Sequence, residues 1–374
     1  MAGVYFHIPF CKQACTYCDF HFSTRFSDYR NEIIETMQVE LERRKEFLTD
    51  KAISSIYFGG GTPSLLHEHE VNELLNAVHQ YFDIDRQAEI TLEANPDDID
   101  ENKLIAWKKA GINRLSIGVQ SFFDQDLKWM NRAHSSHEAL LAIELAKNNG
   151  FEISIDIIYG LPHATVQDVL GNLKQLVSFD PAHISAYCLT VEEKTALHHQ
   201  VKTNQITLPD DEHQASQFNQ LVEFLKNAGY EQYEISNFAK KQKYAVHNSN
   251  YWKNEPYLGV GPSAHSYNQK VRTWNVANNR KYLTLISTNE VHYEVEKLSS
   301  KIIFNERVLT GLRTIWGVSL NELERFHPFP SFFLKQLERF KARDWLSIEN
   351  DIITLTHKGK LFADHIASEL MLVD

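Results

Sequence analysis

Cysteine is scarce in this chain: only four of its 374 residues are cysteines, and three of them fall close together near the N-terminus. Cys11, Cys15 and Cys18 form this group, while Cys188 stands alone far downstream. A small scaffold held by disulfides needs more cysteines, spread along the chain, so that class of fold is excluded. Clustered cysteines of this kind indicate metal ligands or redox groups.

Long apolar runs and a basic N-terminal stretch are also absent. No segment is apolar over the length that crosses a bilayer, and the first residues lack the charged start and the cleavage site of a signal peptide. Positive charge is in short supply as well, because the net charge is −11 and the pI about 5.9. Such a balance argues against broad affinity for nucleic acid. We expect a cytoplasmic protein with no nucleic-acid partner.

Low-complexity tracts and internal repeats are missing too, and 43% hydrophobic with 23% charged residues is an ordinary globular composition. Up to Leu189, β-rich runs alternate with amphipathic helical stretches. Strands separated by helices predict a parallel sheet, and we expect an α/β fold, a partial (β/α)6 barrel. The six runs are residues 4–8, 53–58, 89–93, 114–119, 152–159 and 183–189.

The alternation stops after Leu189, and we place a domain boundary near residue 200. Residues 1–200 are predicted to form the barrel, residues 201–290 an extension, and residues 291–374 a small, mostly helical, winged-helix-like domain. A short hairpin is expected in this last domain, from residues 345–348 and 352–355.

The cysteine spacing, Cys11-x3-Cys15-x2-Cys18, directly follows the first predicted strand. A loop at the carboxyl end of a barrel strand is where such folds build their sites. Three thiolates can hold three irons of a [4Fe-4S] cluster and leave the fourth without a protein ligand. The alternative is zinc, which would need a further ligand such as His7 or His21.

Several motifs surround this triplet in order along the chain. The triplet resembles that of the radical S-adenosylmethionine (SAM) superfamily, and the other motifs resemble the oxygen-independent coproporphyrinogen III oxidase family over almost the whole chain. They are the runs His7-Ile-Pro-Phe-Cys11, Gly59-Gly-Gly-Thr-Pro63, Glu93-Ala-Asn-Pro96, Ser116-Ile-Gly-Val-Gln-Ser121 and Asp156-Ile-Ile-Tyr-Gly-Leu-Pro162.

This resemblance implies a SAM site on the same rim as the cysteines, and one-electron reduction of the cluster to cleave the cofactor. Glycines after the second strand would let backbone approach the ligand, and Glu93 would accept from its ammonium or ribose. For each residue alone, a turn, a helix cap or an ion pair is the competing interpretation. The residues assigned to SAM are Tyr5, Tyr17, Gly60, Gly61, Thr62, Glu93, Gln120, Arg132 and Asp156.

The family has two branches, porphyrinogen oxidases and haem chaperones. The oxidase pattern resembles C-x3-C-x2-C-x-C, but here Phe20 stands at the position of the fourth cysteine. The oxidases also carry an extended segment before the cluster motif, whereas this chain reaches Cys11 within its first residues. Both differences favour the chaperone branch over oxidase activity.

A later run, His247-Asn-Ser-Asn-Tyr-Trp252, matches the H-N-x-x-Y-W pattern of the chaperone branch. Imidazole is a common axial ligand of haem iron, and aromatic rings can pack on a porphyrin. The resemblance therefore implies haem contacts from His247, Tyr251 and Trp252, with His265 of the Gly259–Ser266 run as a second candidate. Without the family, a satisfied histidine in a packed turn is the simpler interpretation.

We therefore expect a haem chaperone that carries a [4Fe-4S] cluster, SAM and haem. Its partners would be an acceptor protein for the haem and an electron donor, with peripheral contact to membrane proteins as a further expectation. The runner-up is an enzyme, either an oxygen-independent coproporphyrinogen III oxidase or another radical SAM enzyme that modifies a tetrapyrrole.

Overall fold

The computed structural model describes residues 1–373. Six strands alternate with helices in its N-terminal part, as the sequence predicts, although the third strand begins at Asp83, before the predicted residue 89. The elements are β1 (Ala2–Ile8), α1 (Arg30–Arg44), β2 (Ala52–Gly60), α2 (Glu68–Tyr81), β3 (Asp83–Ala94), α3 (Glu101–Ala110), β4 (Arg114–Gln120), α4 (Asp124–Trp129), α5 (Ser136–Asn148), β5 (Glu152–Tyr159), α6 (Val166–Ser178) and β6 (His183–Cys188).

Shorter strands and helices follow. They are α7 (Ala196–Lys202), α8 (Asp211–Asn227), β7 (Glu231–Glu234), β8 (Asn237–Ala239), α9 (Val246–Trp252), β9 (Tyr257–Val260), β10 (His265–Tyr267), β11 (Val271–Asn275), α10 (Asn279–Ser287), β12 (Tyr293–Lys297), α11 (Ser300–Leu312), β13 (Val318–Ser319), α12 (Leu320–Phe326), α13 (Ser331–Ala342), β14 (Leu346–Glu349), β15 (Ile352–Leu355), α14 (His357–Lys360) and α15 (Ala363–Leu370).

Strands β1 to β6 pair in sequence order, each parallel to the next, within one 12-stranded sheet. Within residues 1–373, β1 and β6 do not pair with each other. Instead β9 covers the free edge of β1 in parallel, and β8 covers that of β6 in antiparallel. The prediction of a partial (β/α)6 barrel is confirmed, and its ends are extended by the short strands β7–β8 and β9–β12.

Alternation along the strands separates an apolar outer face from a polar interior. In β1, Val4, Phe6 and Ile8 are fully buried in the core under the helices, while Tyr5 and His7 point to the other face. A six-stranded partial barrel thus has an interior lined by hydrogen-bonding side chains. The carboxyl ends of the parallel strands meet at one rim, where barrel sites are built.

Helix ends in the barrel follow local sequence signals. Asp100 accepts a hydrogen bond from the backbone N–H of Lys103 and starts α3, and Gly111, with φ of +103°, ends it. Ser135 and Glu138 form a capping box at the start of α5. These caps fix where the helices stop and the loops of the rim begin.

The C-terminal residues have a hydrophobic core of their own. It includes Phe304, Phe333, Phe340 and Ile353, and it packs α11 to α15 around a small antiparallel sheet ordered β13-β15-β14. The predicted hairpin is present as β14 and β15, which confirms the mostly helical, winged-helix-like region. None of the helices in residues 1–373 has the length and apolar composition to cross a membrane.

A candidate cluster and cofactor site at the barrel rim

The cysteine-bearing loop leaves β1 at Ile8 and is tied down at both ends. The backbone N–H of Cys11 donates to the carbonyl of Ser23 (3.1 Å), and Ser23 donates back to the carbonyl of Pro9 (2.9 Å). Cys11, Cys15 and Cys18 are free thiols, partly exposed. The loop is therefore closed at its base, and its thiols remain accessible.

The middle of this loop is anchored to the turn after α4. The N–H of Thr16 donates to the carbonyl of Met130 (3.1 Å), and the amide of Asn131 donates to the carbonyl of Ala14 (2.7 Å). Gln13 in turn donates to the carbonyl of Asn131 (2.7 Å). Asn131 adopts a left-handed φ of 56°, which asparagine tolerates. The β4–β5 connection thus holds the loop in one place.

Partial burial makes two of the three thiols poor acids. It raises the pKa of Cys11 to about 11 and that of Cys18 to about 12. A thiol must lose its proton to bind iron. The positive charge of the bound iron, and not the protein, stabilises the resulting thiolate. The donor set is the one that a cubane cluster requires, three thiols on one short loop.

Polar side chains connect Cys11 to Cys15 across the rim. Thr62 Oγ1 donates to Cys11 Sγ (3.4 Å), and the amide nitrogen of Asn95 donates to Thr62 Oγ1 (3.4 Å). On the other side of the amide, Arg132 Nη2 donates to Asn95 Oδ1 (2.6 Å), and Arg132 Nη1 donates to Cys15 Sγ (3.5 Å). Two of the three thiols therefore receive a hydrogen bond from the barrel.

Arg132 supplies a test of whether a ligand fits beside this loop. A second bond fixes its guanidinium, from Nη2 to the carbonyl of Gly118 (2.8 Å). Its Nε is buried and has no hydrogen-bond partner within residues 1–373. A buried N–H without a partner is costly, and a bound anionic group such as the carboxylate of SAM would satisfy it. The site therefore fits the cluster and its cofactor.

The zinc alternative fits less well. His7 Nδ1 lies 3.2 Å from the hydroxyl of Tyr5 and His7 Nε2 lies 2.8 Å from the carbonyl of His21, so both ring nitrogens are engaged. His21 Nε2 lies 2.7 Å from Asn279 Oδ1. Among the described residues no three His, Cys, Asp or Glu side chains converge as one ion would require. Thiolates of a cubane each bind a different iron.

Glu93 lies near the end of β3, with both carboxylate oxygens engaged. Tyr57 donates to Oε1 (2.8 Å), and the backbone N–H of Gly60 donates to Oε2 (3.2 Å). Burial, with a contribution from the charge of Asp156, raises the pKa of Glu93 to about 7. A cationic or hydroxyl group of a ligand would stabilise the ionised form.

Asp156 and Gln120 occupy neighbouring strands. Asp156 accepts from Ser116 (2.8 Å) and Ser154 (3.3 Å), and burial raises its pKa. Gln120 ends β4 with a left-handed φ of 65°, a conformation rare outside glycine and asparagine. Gln120 thus stands at the end of β4, whereas Asp156 lies within β5, three residues before that strand ends.

Gly60 and Gly61 are needed by the protein itself. Gly60 has φ of +108°, and a Cβ there would lie 2.8 Å from the ring of His7. A Cβ on Gly61 would lie 2.6 Å from the carbonyl oxygen of Phe10. The glycines let the end of β2 approach the start of the cysteine loop. This is the structural role that competes with backbone contact to SAM in the sequence analysis.

The two predicted tyrosines lie in different places. Tyr17 is in the cysteine loop and packs on the cluster of apolar side chains around Leu127 and Met130. Tyr5 lies deeper in the barrel, where its ring is 6.1 Å from that of Tyr57 and 6.2 Å from that of His247. The structure therefore brings Tyr17, but not Tyr5, into the loop that bears the thiols.

His247 lies at the opposite end of the barrel interior. Its Nδ1 is 2.9 Å from Ser55 Oγ, and a Cβ on Gly3 would come within 3.2 Å of its ring. The cysteines follow the far end of β1, and the five residue-to-residue steps from Gly3 to Ile8 span roughly 17 Å. Helix α9 carries this histidine, so the predicted haem residues and the thiols do not form one site.

Tyr251 and Trp252 end helix α9 and differ in exposure. Tyr251 is 52% exposed, and its ring lies 6.0 Å from that of Tyr257. Trp252 is partly buried, with the guanidinium of Arg313 5.4 Å from its ring. His265, the second haem candidate, is exposed and lies 6.3 Å from Trp274, ring to ring.

Sequence reasoning missed two residues that hold the site together. Asn95 was quoted within a motif but given no role, and Asn131 was not singled out. A signal for Asn131 exists, because asparagine between a short helix and the next capping box is typical of a left-handed turn residue. Nothing local predicts that Asn95 meets both Thr62 and Arg132.

Known proteins are similar in sequence to this chain over its whole length. Residues 5–176 match the model of the radical SAM superfamily. The chain is 32% identical over 371 residues to the heme chaperone HemW of Bacillus subtilis, covering 98% of both proteins. It is 33% identical over 384 residues to HemW of Haemophilus influenzae, covering 100% of this chain and 98% of that one. The chain belongs to the HemW family.

A solved structure supports the fold of this HemW-family chain. Coproporphyrinogen III oxidase (HemN) from Escherichia coli, a radical SAM enzyme, superposes with a TM-score of 0.85 and 21% identity, covering 99% of this chain and 90% of that one. At such identity the likeness shows a shared fold alone. The predicted family is thereby confirmed by the HemW relatives, and the predicted architecture by the superposition.

Membership of the radical SAM superfamily implies a [4Fe-4S] cluster and SAM. Cys11, Cys15 and Cys18 would hold the cluster, and Arg132 with Glu93 would contact SAM beside it. Together, cluster and cofactor supply one-electron reductive chemistry when bound. The protein's own part is to present the thiols, donate hydrogen bonds to them and offer charged groups at the rim.

Proposed function

We propose that this protein binds haem and passes it to an acceptor protein, carrying a [4Fe-4S] cluster with SAM at the open iron. The observation that carries the proposal is the identity of 32% and 33% to two HemW proteins over essentially the whole chain. Both relatives are named as heme chaperones. The free thiols of the cysteine loop support the cluster part of the proposal independently.

Phe20 argues against the oxidase alternative. It occupies the position of the fourth cysteine in the oxidase pattern, and its side chain is 63% exposed beside the cysteine loop. An apolar side chain cannot replace a thiol in redox or ligand chemistry. Conversion of coproporphyrinogen in an anaerobic assay with SAM and a reductant would overturn the preference for the chaperone function over the oxidase alternative.

We propose His247 as the haem ligand. Burial lowers the pKa of His247 to about 4, so the imidazole is neutral near pH 7 and can bind iron. The space beside it, lined by Tyr251, Pro256 and Tyr257 among others, is only about 10 Å³. Haem could therefore reach the imidazole only if α9 moved, which exposes Tyr251 and Trp252 to the porphyrin as well.

Haem titration of the reconstituted protein under anaerobic conditions tests this function. We expect the wild type to give a saturable Soret change, His247→Ala to alter the ligand-sensitive bands, and His265→Ala to behave as wild type. No uptake by wild-type protein would contradict the haem part. Unchanged spectra in His247→Ala, with changed spectra in His265→Ala, would move the ligand to the second histidine.

A matched cysteine series tests the cluster. Replacing any of Cys11, Cys15 or Cys18 by alanine should abolish an iron content of about four per chain, while Cys188→Ala should keep it. Zinc in place of iron in the wild type would contradict the assignment. The acceptor protein, the electron donor, contact with membrane proteins and the cytoplasmic location are further parts of the proposal, and co-purification with fractionation of cells tests them.

A further inference from the structure

The side-chain amide of Asn95 lies between the guanidinium of Arg132 and the hydroxyl of Thr62, and the hydrogen-bond donors of these two groups determine its orientation. A guanidinium has only donors, so the atom that faces Arg132 at 2.6 Å must be the amide oxygen of Asn95. The amide nitrogen therefore faces Thr62 and donates to its hydroxyl oxygen at 3.4 Å. With that lone pair occupied, the single hydroxyl proton of Thr62 is left for Cys11 Sγ at 3.4 Å. The donor in each hydrogen bond from Arg132 to Cys11 is therefore fixed, because Arg132 can only donate.

We propose that Asn95 is a positioning residue that aims Thr62 and Arg132 at the two thiolates of Cys11 and Cys15 and thereby sets the reduction potential of the cluster. The proposal rests on the cluster and not on haem transfer. It goes beyond the cofactor contacts expected of Thr62 and Arg132, because Asn95 touches neither thiol and acts only through its two neighbours.

The main chain around Asn95 is fixed, so that its side chain is presented in one orientation. Its N–H donates to Ser64 Oγ (3.2 Å), and its carbonyl accepts from the N–H of Asp98 (3.0 Å). Ser64 also donates to Asp98 Oδ2 (2.7 Å), and Pro96 follows directly, which rigidifies the turn. The backbone at the end of β3 is therefore rigid and holds the Asn95 amide in place.

Hydrogen bonds to the sulfurs favour the reduced cluster, because reduction adds negative charge that donors stabilise. Without the amide, the Thr62 hydroxyl is free to rotate away and one N–H of Arg132 loses its acceptor. Asn95→Asp acts more selectively. A carboxylate still accepts from Arg132, but it cannot donate to Thr62, so the Thr62 proton turns to the carboxylate and leaves Cys11.

The test is an anaerobic potentiometric titration of the reconstituted, haem-free protein, monitored by electron paramagnetic resonance. We expect Asn95→Leu and Asn95→Asp to hold iron as the wild type does but to show a lower potential. At a fixed potential, the ratio of reduced to oxidised cluster should fall about tenfold, which for a one-electron couple is 59 mV. Asn148→Asp, on the exposed end of α5, controls for added charge.

Variants of Thr62 show whether Asn95 acts through its neighbour. Thr62→Val should lower the reduction potential of the cluster, whereas Thr62→Ser, which keeps the hydroxyl, should have the wild-type potential. Combining Asn95→Asp with Thr62→Val should shift the potential by less than the sum of the two single shifts. Wild-type potential in an Asn95 variant with full iron content would overturn the proposal. So would a wild-type potential in Thr62→Val if neither Asn95 variant retained its cluster. Haem uptake is not part of this readout, so the proposed chaperone function can fail separately.

Discussion

The carboxylate of Glu89 accepts hydrogen bonds from the first backbone N–H groups of helix α9, including that of His247 at 3.0 Å and that of Val246 at 2.8 Å. A negative charge at a helix start is stabilising. Because Glu89 lies on β3 and faces the barrel interior, this bond attaches α9 across the end of the barrel opposite the cysteines. The helix closes the interior there, and His247 is held inside.

Removing the Glu89 carboxylate should destabilise the whole barrel. Arg114 Nε lies 3.8 Å from Glu89 Oε2, and both side chains are buried. Glu89→Ala would leave that guanidinium without its counterion, at a cost of about 3–5 kcal/mol in the free energy of unfolding. Glu138→Ala, which removes an exposed capping glutamate of α5, should cost only about 1 kcal/mol. Urea denaturation measures both, and equal losses would contradict a role for Arg114.

Much of the barrel follows from the sequence because its determinants are local. Alternation in β1 and the helical period between strands predict a parallel sheet, and a motif after a strand must lie at its carboxyl end. That reasoning places Cys11 and Glu93 at the rim without knowledge of any contact. Site residues near strand ends can be predicted from sequence because the direction of each side chain within a strand is fixed by the strand geometry.

What the sequence could not predict depends on contacts between distant segments. Asn95 meets Arg132 only because β3 and β4 are neighbours, and β9 pairs with β1 across more than two hundred residues. The position of His247 is the clearest case. Its motif contains no signal that a short helix, anchored by Glu89, would turn the imidazole into the barrel.

A buried charge network joins α1 to the extension and should contribute strongly to stability. Glu40 is fully buried, and burial alone would raise its pKa, but a hydrogen bond from His292 and the charge of Arg44 lower it. Its carboxylate contacts Arg44 (3.1 Å), His292 (3.0 Å), Gly261 N (2.8 Å), Asn275 (2.7 Å) and Tyr282 (2.7 Å).

We expect Glu40→Ala to lower the free energy of unfolding by about 3–5 kcal/mol, because Arg44 stays buried without its partner. Tyr282→Phe removes a single hydrogen bond and should cost about 1–2 kcal/mol. Glu46→Ala, at an exposed site, should change nothing measurable. Thermal or urea unfolding compares the three, and a loss in Tyr282→Phe as large as in Glu40→Ala would contradict the charge argument.

Lys12 should matter for cluster retention more than for folding. Its ammonium lies 2.6 Å from Asp97 and 2.5 Å from Asp98, which ties the cysteine loop to the turn after β3. Because the lysine is partly exposed, Lys12→Met should cost no more than about 1 kcal/mol in stability. Loosening the loop exposes the cluster, so we expect its loss in air, followed at the cluster absorbance, to be roughly two- to fivefold faster, the factor that such an energy gives.

The matched control for Lys12 is Lys243→Met. Lys243 pairs with Glu152 at 2.7 Å, also at an exposed site, but Glu152 begins β5 and so lies at the end of the barrel away from the cysteines. This variant should lose its cluster at the wild-type rate. Equal acceleration in both variants would show that general destabilisation, and not the loop anchor, controls cluster loss.

The pH dependence of stability in the cofactor-free protein should report on Glu93. Its pKa rises from 4.5 in the unfolded chain to about 7 in the folded one, chiefly through burial. Between these values the folded state holds a proton that the unfolded state has released, so the free energy of unfolding falls as pH rises from 4.5 to 7. The shift from 4.5 to about 7 corresponds to roughly 3 kcal/mol at most.

Glu93→Gln isolates this contribution, because the amide oxygen can accept from the N–H of Gly60 while the amide nitrogen donates to the hydroxyl of Tyr57. We expect the variant to lose the fall in stability between pH 4.5 and 7 and to equal or exceed the wild type at pH 7.5. Urea unfolding at a series of pH values measures both curves. Parallel curves would show that Glu93 is ionised throughout this range, and that the rim is more polar than its burial implies.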